Sequence, residues 1–361
     1  MEDYKNILVV RTDRIGDVVL TNPAIEVLKK AYPKAKVSLL VSPSTQVLVE
    51  DHPHLDELIV DDRKKVHKGL GGFIQLALGL RSRKFDLAII YHTKRRTNLL
   101  CFLAGIPMRV GYKNNKFGFL LTQPLFDDRN KGRKHETQYC LDVLRVLGIP
   151  MDFFKEELDE TDLFVSVNEA SEMMIDRFFK QNNITTTDRL VAIHAGASDP
   201  AKRWPEVFFA DIIEKLFDQY GTKIVLIGDA DTRGISREIF SLTKQPVFDL
   251  TGMITLSELV SLLKRCYILI SNDSGPVHVA ASLNTPVISI FTRNEPGINP
   301  TRWCPINKKS RVISVAPDKL EAYKKKKVVN FSKAHKPDPD YLKLIPPQDV
   351  LEAVDSLFKL C

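Results

Sequence analysis

The 361-residue sequence has few cysteines, no long apolar run and none of the common nucleotide-binding or hydrolase motifs. Its five cysteines are odd in number and lie at no metal-ligand or redox spacing, which favours a reducing compartment. The longest stretch without a charged residue, 274–292, is interrupted by glycine, proline, histidine and asparagine, which excludes a membrane span of about 20 apolar residues. Sequences of the G-x-G-x-x-G, Walker A and G-x-S-x-G types are absent. The first residues run directly into a strand-like segment, so we expect a cytoplasmic protein without a signal peptide.

Charge is unequal in sign, with 52 lysines and arginines against 45 acidic residues and a net charge of +7. This excess predicts an anionic partner such as phosphate groups or an acidic membrane surface. Aromatic residues are not interleaved with the basic ones, so we predict no nucleic-acid partner. A hydrophobic content of 44% over this length is enough for two soluble domains of ordinary size.

Short runs rich in valine and isoleucine alternate with helical patterns in two successive series. In the first series we predict strands at 6–10, 36–41, 58–60, 86–91 and 109–112, and helices at 17–31, 68–80, 95–104 and 135–147. In the second we predict strands at 190–194, 223–227, 267–271 and 287–290, and helices at 205–218, 255–264 and 275–283. Pro23 is expected to kink or split the first helix.

This alternation predicts an α/β protein of two Rossmann-like, doubly wound domains, each with a parallel sheet covered on both faces. We place the domains at residues 1–165 and 166–345. A C-terminal helix follows at 346–361, and we consider that it packs back on the first domain. Ligands in such folds bind at the carboxyl ends of strands. The main site is therefore expected in a central cleft that the two domains face.

A polar loop follows the first predicted strand at residues 11–16. Gly16 permits a tight turn, and Asp17 stands where the next helix begins. A carboxylate at this point could act as a general base on an attacking hydroxyl. It could equally cap the helix, and the residues alone leave both interpretations open.

A second polar loop follows the strand predicted at 190–194. It combines the small residues Gly196, Ala197 and Ser198 with Lys202 and Arg203 beside a helix start. Such a loop can hold a pyrophosphate through backbone N–H groups and positive charge. It can also be an ordinary loop with solvated cations.

A third polar segment follows the strand predicted at 267–271. We expect Ser274 to be the N-cap of the next helix, with Gly275 in its first turn. Asp273 could bind sugar hydroxyls or cap the helix. His278 lies one turn further on, where it could face the same ligand or be a half-buried structural histidine.

Asp229 and Asp231 form a D-x-D sequence, the pattern with which some sugar transferases hold a divalent metal. Because it follows a strand of the second series, we favour a helix cap or a ribose contact, and we predict no metal or cofactor site. Basic residues cluster in the first half, where they could bind an anionic acceptor or form a solvated surface. The residues selected as acceptor-binding are Arg14, Arg63, Lys64, Lys94, Arg95 and Arg96.

Taken together, three segments resemble glycosyltransferase family 9. They are residues 7–33 (ILVVRTDRIGDVVLTNPAIEVLKKAYP), 194–205 (HAGASDPAKRWP) and 271–292 (SNDSGPVHVAASLNTPVISIFT). They occur in order and span most of the chain. The PAKRWP sequence is most similar to the heptosyltransferase II branch.

The resemblance implies a GT-B fold and an inverting transfer of heptose from ADP-heptose to the inner core of lipopolysaccharide, on a Kdo/heptose-lipid A acceptor, without a bound metal. It implies that Asp17 is the catalytic base and that Lys202 contacts the donor diphosphate, with Arg203 as a second cation that could stabilise its charge. Residues 273–275 and His278 would form the donor-binding turn. Residues 196–198 would lie over the phosphates, although some relatives have hydroxyl residues at the first two positions. Either Asp229 or Asp231 would hold the ribose.

A lipid-linked acceptor further implies peripheral association with the cytoplasmic face of the inner membrane. Three alternatives stay open at this point. One is a family 9 transferase with another sugar nucleotide or acceptor. Another is a nucleotide-sugar epimerase or hydrolase of the same fold. The third is a non-catalytic nucleotide-sugar-binding protein, which would have no need of Asp17.

Overall fold

The chain divides into two compact units, Met1–Ser166 and Val167–Cys361. The computed structural model describes residues 3–326 and 339–359. Within these residues each unit contains one parallel sheet of six strands with helices. This confirms the predicted α/β, doubly wound class. The predicted domain boundary, between 165 and 166, lies one residue from this division. No helix in the described ranges is long and apolar enough to cross a membrane.

The first unit alternates strands and helices along the chain. Its strands are β1 (Asn6–Val10), β2 (Lys36–Val41), β3 (Glu57–Val60), β4 (Leu87–Ile90), β5 (Met108–Lys113) and β6 (Gln123–Phe126). Its helices are α1 (Ile15–Val19), α2 (Asn22–Ala31), α3 (Gly69–Ser82), α4 (Arg95–Leu103) and α5 (Glu136–Arg145). Pro23 lies at the start of α2, where its missing N–H costs no helical hydrogen bond, so the single helix predicted at 17–31 is split in two.

The strand order of the first sheet is β3-β2-β1-β4-β5-β6. The central strands β1 and β4 are almost wholly buried and apolar, as expected for a parallel sheet covered on both faces. The chain runs outward from β1 in one direction and from β4 in the other. The carboxyl ends of these two neighbouring strands therefore mark the topological switch point, where doubly wound sheets bind ligands.

The second unit repeats this plan. Its strands are β7 (Leu190–His194), β8 (Lys223–Leu226), β9 (Val247–Asp249), β10 (Ile268–Asn272), β11 (Val287–Phe291) and β12 (Arg311–Ser314). Its helices are α6 (Glu169–Gln181), α7 (Glu206–Tyr220), α8 (Arg233–Leu242), α9 (Leu256–Leu263), α10 (Gly275–Ser282), α11 (Pro300–Trp303), α12 (Pro317–Lys326), α13 (Pro339–Leu342) and α14 (Pro347–Phe358). The order β12-β11-β10-β7-β8-β9 puts its switch point between β7 and β10.

The C-terminal helix α14 falls within the segment 346–361 that was predicted as a helix, and it lies in the core of the second unit. Val354 and Leu357 are fully buried in the same apolar cluster as Phe209 of α7. The ring of Phe358 stacks on Tyr220, with centroids 4.5 Å apart. An amphipathic helix packs where its apolar face finds a matching surface, and α7 provides that surface.

Candidate active site

The polar residues of the first unit lie after β1 and β4, at the switch point of its sheet. The backbone N–H of Arg11, the first residue after β1, donates to the carbonyl oxygen of Leu40. The backbone N–H groups of Tyr91 and His92, just after β4, both donate to the carbonyl oxygen of Val10. The two loops are thus fixed against each other.

Arg11 is buried and is surrounded by three carboxylates. Its Nη2 donates to Asp17 Oδ1 at 2.6 Å and to Glu136 Oε1 at 2.9 Å. Its Nε lies 3.2 Å from Asp13 Oδ1. Burial disfavours the charged guanidinium, but the carboxylates hold the pKa of Arg11 well above its ordinary value. The cluster joins the start of α1 to the first turn of α5, which carries Glu136.

Asp17 does not cap a helix. The N-cap of α1 is Arg14, and Asp17 is the third residue of the helix. Its carboxylate points to Arg11 through Oδ1, while Oδ2 has no hydrogen-bond partner in the described part of the chain. The side chain keeps 16% of its surface exposed. One oxygen is therefore held in place and the other is available to a ligand.

Burial raises the pKa of Asp17 to about 7, against the opposing effect of Arg11. The negative charges of Asp13 and Glu136 add to the increase. A carboxyl group with a pKa near neutrality can both accept a proton from a hydroxyl and exist as the anion at neutral pH. Asp17 therefore has the properties of a general base.

The predicted acceptor residues Arg63 and Arg96 are both anchored on one buried carboxylate. Arg96 donates to the two oxygens of Asp61 at 2.7 and 2.9 Å, and Arg63 Nε donates to Oδ2 at 3.0 Å. These two cations hold the pKa of Asp61 below its ordinary value in spite of its burial. Arg63 also donates to Thr12 Oγ1 at 2.7 Å, so it reaches the loop after β1.

The other four predicted acceptor residues are exposed: Arg14, Lys64, Lys94 and Arg95. Although Lys94 is mostly exposed, partial desolvation of its ammonium and the neighbouring ammonium of Lys116 lower its pKa. Lys94 is the N-cap of α4, which begins just after β4. An anionic group bound near these strand ends would relieve the repulsion between the two lysines.

In the second unit, Asn272 fastens the loop after β7 to the end of β10. Its side-chain Nδ2 donates to the carbonyl oxygen of Ala195 at 2.7 Å, and its Oδ1 accepts from the backbone N–H of Trp204 at 3.0 Å. Both ends of the segment 195–204 are therefore fixed to β10. This segment carries five of the predicted donor-binding residues, Gly196, Ala197, Ser198, Lys202 and Arg203.

Charged side chains join this segment to the turn before α10. The Lys202 ammonium forms an ion pair with the Asp273 carboxylate. Arg203 Nε donates to the carbonyl oxygen of Ala197 at 2.9 Å, so its side chain shapes the loop. Ser198 is exposed at the tip of the loop. Of the predicted donor residues, Lys202 and Asp273 are thus in direct contact.

The start of α10 has no side-chain cap, although Ser274 is its N-cap as predicted. Ser274 Oγ is hydrogen-bonded instead to His194 Nδ1 at 3.0 Å. Burial lowers the pKa of His194 to about 4, so its ring is neutral at physiological pH. The backbone N–H groups of the first turn of α10, where Gly275 stands, can therefore face an anion. His278 is buried within this helix.

Gly196 is held close to the turn that carries the D-x-D sequence. A Cβ atom at Gly196 would lie 2.7 Å from Thr232 Cγ2. Asp229 accepts a hydrogen bond from the backbone N–H of Thr232 at 3.1 Å, so it caps this turn, while Asp231 is exposed beside it. The close packing brings the D-x-D turn against the loop after β7. Within the described residues, no group of three or more histidine, cysteine, aspartate or glutamate side chains is arranged so that it could hold a metal ion.

Several residues of these clusters are absent from the predicted site. Arg11 and Asp13 lie inside the predicted loop at 11–16, and an arginine directly after an apolar strand is a signal that could have been used. Glu136 had no such signal, because 119 positions separate it from Asp17 in the sequence. Asn272 lies in the polar segment that follows the strand predicted at 267–271. Its contacts with Ala195 and Trp204 depend on the fold and could not be predicted from that segment alone.

The comparisons with known proteins agree with this architecture. A sequence model described as glycosyltransferase family 9 (heptosyltransferase) matches residues 73–334. The chain is 26% identical over 357 residues to lipopolysaccharide heptosyltransferase 2 of Escherichia coli K12, covering 97% of this chain and 98% of that protein. A crystal structure of a family 9 glycosyl transferase from Veillonella parvula matches with a TM-score of 0.84 and 26% identity, over 100% of this chain and 99% of that one.

The structure of Escherichia coli ADP-heptose lps heptosyltransferase II matches with a TM-score of 0.76, over 98% of both chains. Its sequence identity of 23% makes this a likeness of fold alone. Both structural matches extend over nearly the whole chain and therefore include both units. They confirm the predicted GT-B fold class.

Proposed function

The chain belongs to glycosyltransferase family 9, and we propose from this membership that it transfers heptose from ADP-heptose to the inner core of lipopolysaccharide. The observation that carries the proposal is the position of the two polar clusters. Each lies at the switch point of a doubly wound sheet, one built around a raised-pKa carboxylate and one around a lysine and an uncapped helix start. An acceptor site with a base and a site for a diphosphate are what this reaction requires.

The second unit is proposed to bind the donor. Lys202 and the first-turn N–H groups of α10 would contact the diphosphate, and Asp273 would turn from Lys202 to the sugar hydroxyls. Gly196, Ala197 and Ser198 would lie against the phosphates, and Arg203 would keep that loop in shape through Ala197. Asp231 is the better candidate for the ribose, because Asp229 already caps its own turn.

The first unit is proposed to bind the acceptor. Exposed Arg14, Lys64, Lys94 and Arg95 would attract its phosphate and acidic-sugar groups. Arg63 and Arg96 are held by Asp61 and would offer their remaining N–H groups. The pairing of Asp17 with Arg11 would keep the base oriented toward the hydroxyl that reacts.

In the proposed step, the acceptor oxygen forms a bond to the anomeric carbon as the bond from that carbon to the donor diphosphate breaks. The proton of the hydroxyl passes to Asp17, and the bonding electron pair leaves with the diphosphate. The transition state has oxocarbenium character. Negative charge grows on the leaving group, where Lys202 and the helix start would stabilise it, so the proposed step uses no metal.

Replacing Asp17 with asparagine tests this proposal. We expect transfer to lipopolysaccharide-core acceptors to fall about 10²- to 10⁴-fold, the usual contribution of a general base. Binding of ADP-heptose, measured by calorimetry, should stay unchanged because Asp17 lies in the first unit. The assay is run with EDTA present, so that it also tests whether the reaction needs a metal.

Asp51→Asn is the matched control, because Asp51 is an exposed carboxylate of the same unit. Full activity of Asp17→Asn would refute the base assignment. Tight binding of ADP-heptose with no transfer to any core acceptor would favour a different acceptor or a non-catalytic binding protein. Failure to bind ADP-heptose would reject this donor.

We also propose that the protein works at the cytoplasmic face of the inner membrane as a peripheral protein, since its proposed acceptor is anchored there. The excess of basic residues supports this location.

A further inference from the structure

Helix α3 exposes apolar side chains that the core of the first unit does not use. Phe73, Leu76, Ala77 and Leu80 are buried in that core. Leu70, Ile74 and Leu78 are 74%, 43% and 60% exposed. They are spaced four residues apart and so form one stripe along the outer side of the helix. A surface helix normally carries polar residues on this side, and an exposed apolar stripe marks an interaction surface.

The sequence that contains α3 carries charges of one sign, and two of its arginines are paired with carboxylates outside it, Arg83 with Glu57 and Arg63 with Asp61. Residues 63–85 contain seven lysines and arginines and no aspartate or glutamate. The basic residues stand before the helix, at 63–68, and at its end, at 81–84. The wider segment 63–126 contains 13 basic residues and one acidic residue, Asp86. The part of the sequence that contains the apolar stripe is therefore strongly basic, and Lys65, Lys68 and Arg81 form no ion pair within the described residues.

We propose that this α3 face, defined by Leu70, Ile74 and Leu78 with Lys65, Lys68 and Arg81 beside them, docks on the surface of an anionic lipid bilayer. An apolar stripe enters the boundary between headgroups and acyl chains, and flanking cations bind acidic headgroups. The helix lies in the plane of the surface and does not cross it. This inference rests on the proposed function for its purpose, but it makes a separate physical claim.

The charge pattern distinguishes a bilayer from a second copy of the chain. Two α3 faces packed together would bring Lys65, Lys68 and Arg81 of both copies together, while the carboxylates of Glu57 and Asp61 are already paired with Arg83 and Arg63. An acidic surface neutralises all of them at once. The complementary partner therefore has an anionic layer directly beside an apolar layer, as a lipid bilayer does.

The α3 face also adjoins the proposed acceptor site. The loop 61–68 joins the carboxyl end of β3 to α3 and contains Arg63, which donates to Thr12 after β1. Arg96 donates to the carbonyl oxygen of His67 at 3.2 Å in the same loop and lies over the ring of Phe73 in α3. A lipid whose sugar headgroup reaches the strand ends would thus keep its acyl chains beside α3.

The test is flotation of the full-length protein with vesicles of phosphatidylcholine alone or mixed with an equal part of phosphatidylglycerol. We expect binding to the mixed vesicles, weakened by salt, and little binding to phosphatidylcholine. The triple variant Leu70→Ser, Ile74→Ser, Leu78→Ser should bind the mixed vesicles with an affinity lower by about tenfold or more. Each substitution removes apolar surface that would enter the bilayer. Its control is Met173→Ser, Met174→Ser, Phe240→Ser, which changes exposed apolar residues of the second unit.

A charge variant, Lys65→Gln, Lys68→Gln, Arg81→Gln, should lose affinity and salt dependence, whereas Lys5→Gln, Lys34→Gln, Lys36→Gln should keep both. Unchanged vesicle binding by both α3 variants would overturn the proposal. A change of oligomeric mass in the serine variant, without loss of vesicle binding, would assign the stripe to a protein partner instead and also overturn it.

Transfer to a delipidated, water-soluble core acceptor separates this proposal from the proposed function. Transfer by a wild-type protein that fails to bind vesicles would reject the docking surface alone. Vesicle binding through α3 without any transfer would reject the proposed reaction and leave the docking surface supported. The α3 variants should retain transfer to the soluble acceptor, because none of their six positions is assigned to the active site.

Discussion

Arg11 and its three carboxylates form a cluster in which every charge affects the others. Burial raises the pKa of Asp17 most, the guanidinium of Arg11 lowers it, and the negative charges of Asp13 and Glu136 raise it further. A buried arginine with one carboxylate would hold the acid fully ionised and weakly basic. The second and third carboxylates raise the pKa of Asp17 further, so in the proposed mechanism Glu136 is a positioning residue that acts through Arg11 and through its own charge.

The pH dependence of catalysis should report this cluster. Because the proposed base Asp17 must be ionised to accept a proton and has a pKa of about 7, kcat/KM should rise with pH, reach half its maximum near pH 7 and level off about one pH unit higher. Glu136→Gln removes a negative neighbour, which lowers the pKa of Asp17, so the rising limb should move to lower pH. Asp51→Asn should leave the profile in place. A profile that is level from pH 5.5 to 8, or one that Glu136→Gln does not move, would contradict this account.

Gly196 shows how one missing methyl group shapes the segment 195–204, the proposed donor loop. Gly196→Ala would place a Cβ atom 2.7 Å from Thr232 Cγ2, inside normal van der Waals contact. We expect a loss of about 1–3 kcal/mol in the free energy of unfolding, measured with urea. Adding Thr232→Ser removes Cγ2 and should recover part of that loss. If Gly196→Ala is as stable as wild type, the contact with Thr232 does not constrain the loop.

The C-terminal helix α14 belongs to the core of the second unit, and its removal should affect that unit first. Leu357 is completely buried in the apolar cluster that also contains Phe209 of α7. Leu357→Ala should reduce the free energy of unfolding by about 2–5 kcal/mol, as for other buried leucines. Leu242→Ala is the control, because Leu242 lies half-exposed in the same unit. Equal stability of both variants would place α14 outside the core.

The elements that sequence reasoning could predict are the buried ones. The central strands of both sheets are continuous apolar runs, and the structure has strands at each of those positions. The strands β6, β9 and β12 were not predicted, and all three are edge strands of three or four residues. An edge strand is covered on fewer sides, so it needs no apolar run; β6 even contains Pro124.

The polar residues of the site could be predicted one segment at a time, because each follows a strand. Their contacts across the sheet, such as Glu136 on Arg11, depend on the fold and leave no local pattern.

Helix α8 was also not predicted, although its sequence does contain a signal. Ile235, Ile239 and Leu242 are spaced as in an amphipathic helix, and Ile239 is fully buried. The helix follows the D-x-D turn, and Thr232 at its start packs against Gly196. This helix therefore positions one wall of the donor loop.

The molecule as a whole carries a net charge of +7, yet the single segment 63–126 carries 13 basic residues against one acidic residue. The remainder of the chain is therefore net acidic, and an anionic acceptor is attracted chiefly to this part of the first unit. Attraction of this kind is screened by salt, because most of these side chains are exposed.

Binding of the acceptor should consequently depend on salt more strongly than the chemical step does. With a delipidated acceptor, we expect the KM for acceptor to rise several-fold as ionic strength increases, while kcat changes little. Lys94→Gln with Arg95→Gln should raise KM at low salt and flatten its dependence on salt, because this pair removes two of the cations proposed to bind the acceptor. Lys34→Gln with Lys36→Gln removes the same charge from the β2 side of the unit and should leave the dependence unchanged.

If the two pairs behave alike, the net charge of the protein attracts the acceptor, and Lys94 and Arg95 after β4 have no particular part in binding it. A large fall in kcat in the first pair would instead place these residues in the chemical step.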